Sequence, residues 1–357
     1  MSNENEYVIE DGVLIKYSGN GGDIVIPNGV VTVGEDSFAG CNSIKSIRIS
    51  ESVVTIKAYA FFDCKSLTSV SIAKGLTGIE EGAFGSCTSL TAFVVDSDNS
   101  AFSSRDGVLY NKDQTELVRC PCGYSSECVI PNSVTSIRSE AFYGCYKLPG
   151  SIVIPEGVTR IEDYSFCDCA NLVNCTIPNS VDSIGDFAFS GCGNLEQLLI
   201  PDKVSSIGSA AFQGCSKLTG MEFPDSLVEI GESAFTNCYS LEAITMPKEL
   251  QSIGKGAFTN CSSLKSIVIP EGVKNIEETT FSGCESLTHC SLSDSVKSIG
   301  EYAFVGCGNL SEIRIPAGVT KIKMGAFEGC ESLTIHTEKG SAAEKYAKKN
   351  SITVALA

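Results

Sequence analysis

The chain has 357 residues, of which 43% are apolar, with 26 basic and 43 acidic side chains and a formal net charge of −17. The acidic balance is the wrong sign for phosphate backbones and anionic bilayers, so we expect no nucleic-acid partner. No apolar run approaches the roughly 18 residues that span a bilayer, so we expect no membrane insertion.

The N-terminal segment, residues 1–26, is predicted to be a cap. It begins with MSNENEYVIE, which lacks the basic and apolar regions of a secretory signal, so the protein is expected to be cytoplasmic if the chain is complete. A mature form whose signal had been removed would look the same. The motif Asp11-Gly12-Val13-Leu14 leads into an Ile-Pro that opens a run of repeats. A cap here would cover the first coil, whose sheet edge could otherwise pair with other molecules.

A phenylalanine followed three residues later by a cysteine dominates the rest of the chain. The pair occurs twelve times, mostly at steps of 23 residues, at Phe38/Cys41, Phe61/Cys64, Phe84/Cys87, Phe142/Cys145, Phe166/Cys169, Phe189/Cys192, Phe212/Cys215, Phe235/Cys238, Phe258/Cys261, Phe281/Cys284, Phe304/Cys307 and Phe327/Cys330. Such a period predicts repeat units that stack on their neighbours. We expect one elongated domain over residues 1–357, with the first repeats at 27–95 and the main array at 131–336.

One period, residues 194–216, shows how a coil is built. Its L-x-x-L-x-I pattern places apolar residues at alternate positions, as in a short strand with one face in a core. The proline that follows ends the strand, because it has no N–H to donate to a neighbouring strand. V-x-x-I-G is a second short extended piece, in which Gly208 is predicted to permit a turn. S-A-A-F is predicted to close the coil as a single helical or 3₁₀ turn. The expected fold is a strand-dominated α/β solenoid, a right-handed superhelix of about twelve 23-residue coils with one parallel β-sheet.

Stacked coils bring like residues into columns, so the twelve repeat cysteines are predicted to be buried and reduced. Their parallel Cα–Cβ vectors keep neighbouring Cβ atoms about 4.8 Å apart, outside the usual disulfide range. Cys175 and Cys290 occupy apolar strand positions and are predicted to lie in the core. Cys167 falls at a coil position elsewhere taken by polar residues and is predicted to be exposed.

Residues 96–130 interrupt the repeat. V-L-Y and L-V-R on either side of NKDQT predict a β-hairpin, and Asp106-Gly107-Val108-Leu109 repeats the N-terminal motif. One module used twice is the simplest account. In the middle of the chain it is either a plain structural insertion or a protruding binding element.

The insertion contains three cysteines in CPCGYSSEC, Cys120, Cys122 and Cys128. Clustered thiols suggest zinc or a disulfide. Zinc takes four ligands, usually from paired C-x-x-C motifs, and no histidine is near, so we expect no metal site. A disulfide fits only an exported protein.

The outward strand positions of the main array are the candidate binding residues. They carry varied side chains on a regular frame, which is how repeat proteins build extended binding surfaces. A uniform, strand-favouring face without a ligand is the alternative. The residues predicted to contact a ligand are Asn174, Gln197, Leu199, Glu222, Thr245, Val268, His289, Ser291, Glu312 and Arg314.

The C-terminal segment, residues 337–357, is predicted to be a second cap. Ser341 and Glu344 have capping-box spacing, and three lysines follow where they favour the negative end of a helix. A short amphipathic helix covering the last coil is expected.

Catalytic motifs are not apparent in the sequence. The chain has two histidines, in positions 47 residues apart, and no G-x-S-x-G, H-E-x-x-H, P-loop or dinucleotide motif. We therefore expect no catalytic residue, no cofactor and no enzyme activity.

The repeat resembles a known family. CSSLKSIVIPEGVKNIEETTFSGC, residues 261–284, is similar to the leucine-rich repeats of BspA-like proteins, and the resemblance covers residues 20–340. It implies a curved leucine-rich-repeat solenoid and a surface or secreted protein associated with adhesion and host interaction. It supplies no catalytic residues.

Two functional hypotheses follow. The first is a non-enzymatic recognition or adhesion protein, cell-surface or secreted, that binds a protein or glycan through the sheet face. The second is an intracellular protein-protein interaction scaffold, which the absence of a visible signal favours. In both cases we expect a monomer.

Overall fold

The computed structural model describes residues 6–356, which group into two compact units. The first comprises residues 6–158 and Tyr164–Asn171, and the second comprises Thr159–Asp163 and residues 172–356. Strands dominate both units, and the α-helix described is Ala342–Lys349 in the second. The predicted solenoid of stacked coils is confirmed. The organisation of residues 1–357 as a single domain stays a prediction.

The first unit contains two parallel ladders and the insertion. Its strands are β1 Tyr7–Glu10, β2 Val13–Tyr17, β3 Gly22–Val25, β4 Thr32–Val33, β5 Ile44–Ile49, β6 Thr55–Ile56, β7 Ser69–Ile72, β8 Gly78–Ile79, β9 Ala92–Val95, β10 Phe102–Arg105, β11 Val108–Asn111, β12 Glu116–Arg119, β13 Ser136–Ile137 and β14 Ser151–Val153. The longer strands pair in the order β3-β5-β7-β9, and the shorter ones in the order β2-β4-β6-β8 with β1 antiparallel on β2.

The second unit repeats this arrangement. Its elements are β15 Arg160–Ile161, β16 Asn174–Thr176, β17 Ser183–Ile184, β18 Ser206–Ile207, β19 Gly220–Glu222, β20 Glu229–Ile230, β21 Ala243–Thr245, β22 Ser252–Ile253, β23 Ser266–Ile269, β24 Asn275–Ile276, β25 His289–Leu292, β26 Ser298–Ile299, β27 Glu312–Arg314, β28 Lys321–Ile322, β29 Thr334–Thr337, α1 Ala342–Lys349 and β30 Thr353–Leu356. Seven strands form one parallel sheet, β19-β21-β23-β25-β27-β29-β30, and the two-residue strands form separate sheets.

Each coil thus contributes to two parallel ladders, where the sequence predicted one parallel sheet. The second ladder arises from the V-x-x-I-G segment. Its isoleucines lie directly opposite each other in successive coils, as Ile184, Ile207, Ile230 and Ile253 do. Both ladders place apolar side chains inside the coil, because alternate strand residues point to opposite faces.

The glycine of this segment has a different role from the one predicted. Gly208 does not adopt a left-handed φ; a Cβ built on it would lie 2.5 Å from the carbonyl carbon of Gly185 in the preceding coil. Since real Cβ atoms do not approach backbone this closely, glycine is required here by the close approach of adjacent coils.

The S-A-A-F segment is not the predicted helical or 3₁₀ turn. Ala210 has φ 51° and Gly214 has φ 73°, so the chain passes through linked turns with left-handed residues on both sides of Phe212. The N–H groups of all three residues donate to carbonyls of the next coil at 2.7 to 2.8 Å. A helix would use these donors internally, whereas here they bind one coil to the next.

The phenylalanines form a column of stacked rings. In the second unit the ring centroids from Phe189 to Phe327 are 5.2 to 5.7 Å apart, and all these rings are buried. A tyrosine covers one end of the rings in each unit: Tyr17 stacks on Phe38 at 5.1 Å in the first, and Tyr346 meets Phe327 edge-on at 6.1 Å in the second. Such contacts contribute beyond the area that the rings bury.

The repeat cysteines form a parallel column of thiols. The Sγ of Cys238 donates to the carbonyl oxygen of Phe212, and that of Cys261 to Phe235, at 3.2 and 3.3 Å. Burial is confirmed for eleven of the twelve, while Cys41 is half-buried. Cys167 is also buried, so its predicted exposure is wrong. The preceding coil holds its backbone, because the N–H of Gly144 donates to the Cys167 carbonyl at 2.8 Å.

Alkaline pH is expected to destabilise the protein through this column. Burial raises the pKa of Cys87, Cys238 and Cys284 from 9.0 to about 12. Below pH 9 these thiols are protonated in both folded and unfolded chains, so they have no effect. Above it the unfolded chain loses protons that the folded chain retains, and stability falls by roughly 1.4 kcal/mol for each thiol and pH unit.

Denaturant midpoints measured between about pH 8 and pH 11 check this expectation. The midpoint should fall as pH rises, and the fall should be shallower in the double variant Cys238→Ala, Cys284→Ala. Equal slopes in the two proteins would contradict the assignment to these thiols.

The insertion contains the predicted hairpin, in which β11 pairs antiparallel with β12 around the NKDQT turn. A second hairpin, which the sequence did not predict, pairs β11 with β10 across Asp106-Gly107. These two residues have φ values of 51° and 83°, close to the 48° and 78° of Asp11 and Gly12, so the two motifs share one turn geometry. β12 then pairs in parallel with β13. The insertion therefore ends as part of the stack.

The C-terminal cap is the helix that the sequence predicted. Ser341 is the N-cap, its Oγ accepting from the N–H of Glu344 at 3.1 Å, and the Glu344 carboxylate accepts from the N–H of Gly340 at 2.5 Å. Lys348 pairs with the same carboxylate at 2.6 Å. After the helix, β30 adds a last strand to the seven-stranded sheet, beside β29.

Candidate ligand-binding surface

The ten predicted ligand residues all lie in the second unit, and we call them the sheet-face strip. Nine are exposed and Ser291 is half-buried. The residues between them, such as Met221 and Ile267, are buried. Alternation along each strand therefore places the strip side chains outside the core, as expected from the sequence. That they bind a ligand stays a prediction.

Strand register brings strip residues of successive coils side by side. Glu222 lies opposite Thr245, and Ser291 lies opposite Arg314. Val268 lies opposite Ser291 and is 61% exposed. Glu222, Thr245, Val268, Ser291 and Arg314 therefore occupy equivalent outward positions in five successive strands, spaced by the roughly 4.8 Å between strands. Their side chains are acidic, polar, apolar, polar and basic in turn.

A groove opens at the N-terminal part of the strip. It has a volume of about 420 Å³ and is lined by Gln197, Leu199, Gly220, Glu222 and Thr245, among others. Gly220 has no side chain to fill the space between the adjacent coils, so the sheet surface is recessed there. Leu199 is 75% exposed, an unusual position for a large apolar side chain that no neighbour covers.

The local backbone explains this exposure. Residues 195–200 form only an isolated bridge, from Gln197 to Asn174, in place of a strand. The seven-stranded sheet starts one coil later, at Gly220. A groove with one apolar wall and polar groups around it is the usual form of a recognition site.

The C-terminal part of the strip carries paired charges. Arg314 contacts Asp294 at 2.9 Å, and His336 contacts Glu312 at 3.5 Å. All four side chains are largely exposed, so these pairs contribute little to stability. They leave both signs of charge available on the sheet face.

Sequence reasoning missed Asp294 and His336 as members of this group. His336 follows a coil shortened by one residue, L-T-I instead of L-x-x-I, which shifts the 23-residue count. The structure places Ile335 opposite Ile313 and His336 opposite Arg314. Aligning the isoleucines rather than counting residues would have found it.

A second concave site lies in the first unit. A cavity of about 260 Å³ is lined by Gly82, Arg119, Arg138 and Glu140, among others. Arg138 pairs with Glu116 at 2.7 Å, and burial raises the pKa of Glu140 although the charge of Arg119 opposes this. These groups largely neutralise one another and provide no nucleophile with an adjacent base.

Within residues 6–356, no group of three or more His, Cys, Asp or Glu side chains is placed to hold a metal ion. In this part of the chain no helix is long and apolar enough to cross a bilayer.

Comparison with known proteins places the chain in a family. The sequence pattern of the BspA type leucine rich repeat region, in six copies, matches residues 15–117, 120–242 and 228–351. The chain belongs to the BspA-type leucine-rich repeat family. The BspA-type match covers both compact units and the strip.

Two solved structures are similar to this BspA-type chain. A leucine-rich repeat protein from Bacteroides ovatus has 26% identity over 100% of this chain and 97% of its own, with a TM-score of 0.66. A leucine-rich cell surface protein from Faecalibacterium prausnitzii has 26% identity over 99% of this chain and 95% of its own, with a TM-score of 0.49. No curated protein matches the chain in sequence.

Proposed function

We propose that this BspA-type protein is a non-enzymatic recognition protein that binds a protein or glycan ligand through the sheet-face strip. The observation that carries the proposal is the groove at Gly220, where exposed Leu199 lies beside Glu222 and Thr245. Buried Leu198, Met221 and Ile244 anchor the backbone beneath the groove, so the outward side chains are held in place before any ligand binds.

Family membership supports the same reading. Leucine-rich repeats in general present their sheet face to protein partners, and BspA-like members are typically surface or secreted proteins. We propose the same location for this chain, with adhesion or host interaction as its role. An intracellular protein-protein interaction scaffold is the second candidate.

Replacing Leu199, Glu222, His289 and Arg314 together by alanine is expected to weaken ligand binding by roughly 30-fold or more. One interface anchor is typically worth about 2 kcal/mol, so the loss is measurable even if only one of the four is an anchor. The ligand is first recovered by pull-down with the intact protein from surface extracts and from extracts of the producing cells. Affinities are then measured by calorimetry or surface plasmon resonance.

The matched control is the double variant Gln213→Ala, Lys217→Ala on the turn side of the coil, which should bind as the parent does. Both proteins should keep the parent's denaturant midpoint, because none of these side chains enters the core. Full affinity in the quadruple variant, with loss in a variant altered at exposed hairpin residues Lys112 and Asp113, would move the site to the insertion.

A further inference from the structure

Four cysteines at the end of the insertion contact one another, and we call them the thiol cluster: Cys120, Cys122, Cys128 and Cys145. The Cys120 thiol lies against those of Cys128 and Cys145, and the Cys122 thiol lies against that of Cys145. The Sγ atoms of Cys120 and Cys145 lie 3.8 and 3.6 Å from the same oxygen, the carbonyl of Pro121. Three of the four are fully buried, and Cys128 is 6% exposed. Cys145 belongs to the repeat, whereas the other three belong to the insertion.

The insertion brings these residues together by imitating a coil. Leu117 lies opposite Ile137, and the N–H of Cys120 donates to the carbonyl of Ala141 at 2.7 Å, as the N–H of a repeat phenylalanine does. Cys120 therefore takes the place of the phenylalanine in an abbreviated coil. The repeat cysteine of the following coil, Cys145, accordingly points its Sγ at the carbonyls of Cys120 and Pro121, at 3.6 Å each.

A buried cation lies beside the cluster. Arg119 is 7% exposed, and its guanidinium donates to the Sγ of Cys122 at 3.0 Å. Its Nε has no hydrogen-bond partner, and no carboxylate among residues 6–356 lies within ion-pair distance of it. The positive charge of Arg119 acts to lower the pKa of the Cys122 and Cys145 thiols, which eases their deprotonation when an oxidant is present.

The titration of the cluster agrees with this arrangement. Burial acts to raise the pKa of Cys145, but hydrogen bonds from Cys120 and Cys122 and the charge of Arg119 together lower it well below its usual value. In the structure the Cys145 S–H donates to carbonyls, and loss of this proton beside a second thiol is the step that starts disulfide formation.

We propose that the thiol cluster is an oxidation site that forms two disulfides, Cys120–Cys128 and Cys122–Cys145. The contacts run in an open chain from Cys128 through Cys120 and Cys145 to Cys122, and pairing its two ends in this way leaves no thiol over. The first disulfide closes a short loop within the insertion. The second joins the insertion to the next coil, locking the abbreviated coil into the stack.

The oxidant is a low-molecular-weight disulfide. A cysteine thiolate attacks one sulfur of the reagent, forming a mixed disulfide and releasing one small thiolate. The second cysteine gives up its proton and attacks the protein sulfur of the mixed disulfide, which releases the second small thiolate. Two protein thiols are oxidised for each reagent molecule reduced, and the two protons end on the two small thiols.

The reagent can enter at Cys128. This residue directly follows Ser125, Ser126 and Glu127, which are all exposed, whereas the sulfurs behind it are covered by Tyr124 and the adjacent coils. Opening of this short segment exposes Cys120 in turn. Most thiols of the cysteine column donate to backbone carbonyls, as Cys284 does to Phe258 at 3.3 Å, with Cβ atoms parallel to those of their neighbours. Cys307 and Cys330 also contact each other, but both keep such a bond, at 3.2 Å each.

The test is oxidation of the full-length reduced protein with oxidised glutathione, followed by alkylation in denaturant and mass mapping of linked peptides. We expect the Cys120–Cys128 and Cys122–Cys145 links, with Cys64, Cys238 and Cys261 recovered alkylated. Cys128→Ser should retain the Cys122–Cys145 link alone, and Cys122→Ser the Cys120–Cys128 link alone. Oxidation should raise the denaturant midpoint, and reductant should reverse the change.

Three results would overturn the proposal. They are recovery of all four cluster cysteines alkylated after the parent is oxidised, links among column cysteines instead, or stoichiometric zinc retained by the four thiols that blocks their oxidation. Cys41→Ser serves as the control, because it removes the most exposed repeat cysteine and should leave both cluster links in place.

Discussion

Phe258→Ala is expected to lower the free energy of unfolding by about 3 to 5 kcal/mol. The ring is fully buried and stacked between Phe235 at 5.3 Å and Phe281 at 5.7 Å. Truncation leaves a ring-sized space between coils that cannot close, since backbone hydrogen bonds fix the coil spacing on both sides. Chemical denaturation measures the loss.

Hydrogen exchange gives a second readout, because neighbouring coils should lose protection before distant ones. Leu199→Ala is the matched control. It removes a large apolar side chain that is 75% exposed, so it should change stability by less than about 0.5 kcal/mol. Equal losses in the two variants would contradict the column of stacked rings as a source of stability.

Arg119→Leu is expected to destabilise the first unit by about 3 kcal/mol. The guanidinium donates to the carbonyls of Glu140, of Tyr143 at 2.8 Å and of Phe84 at 3.5 Å. Leucine would remove all three charged donations. The Glu140 carbonyl would keep only the N–H of Tyr143 at 2.9 Å, and the Tyr143 and Phe84 carbonyls only the weak thiol donor of Cys122 at 3.5 and 4.0 Å. Removing the buried positive charge stabilises the variant and offsets part of the lost free energy of unfolding.

Denaturation monitored by hydrogen exchange distinguishes local from global effects for this variant. Protection should fall around Cys120 and Ala141 first. Arg105→Ala is the control in the same insertion, since its side chain is about half exposed and its pairing with Asp106 is long, at 3.8 Å. Unchanged stability in Arg119→Leu would show that Arg119 has no structural role.

The stack was predictable because the repeat is strict. Phe, Cys and the isoleucines recur at the same register, and each type can be buried only if the coils align. The strip followed from the same alternation, since a residue between two buried ones must face outward, as Glu222 does beside Met221.

The turns were not predictable by the same logic. Left-handed residues flank every repeat phenylalanine, but at the first of these positions they include Tyr59, Phe187 and Thr279, which do not favour that conformation. Hydrogen bonds to the next coil decide it, and those are visible only in the stack.

Arg119 was missed for a similar reason. Within the sequence L-V-R-C it reads as a strand residue at the end of a hairpin, and arginine is normally exposed. Its burial follows from its contacts with three carbonyls that lie far from Arg119 in sequence, at Phe84, Glu140 and Tyr143. The contacts of Cys145 with the insertion likewise depend on Cys120 replacing a phenylalanine, which no local pattern indicates.

Hydrogen exchange of the protein with and without its recovered ligand tests the recognition surface most directly. The account predicts that added protection is concentrated in the sheet-face strands β19, β21, β23, β25 and β27 and at residues 195–200. The turns around Phe212 and Phe258 should be unchanged by ligand. Protection confined to the insertion or to the turn side of the coils, with these strands unchanged, would contradict it.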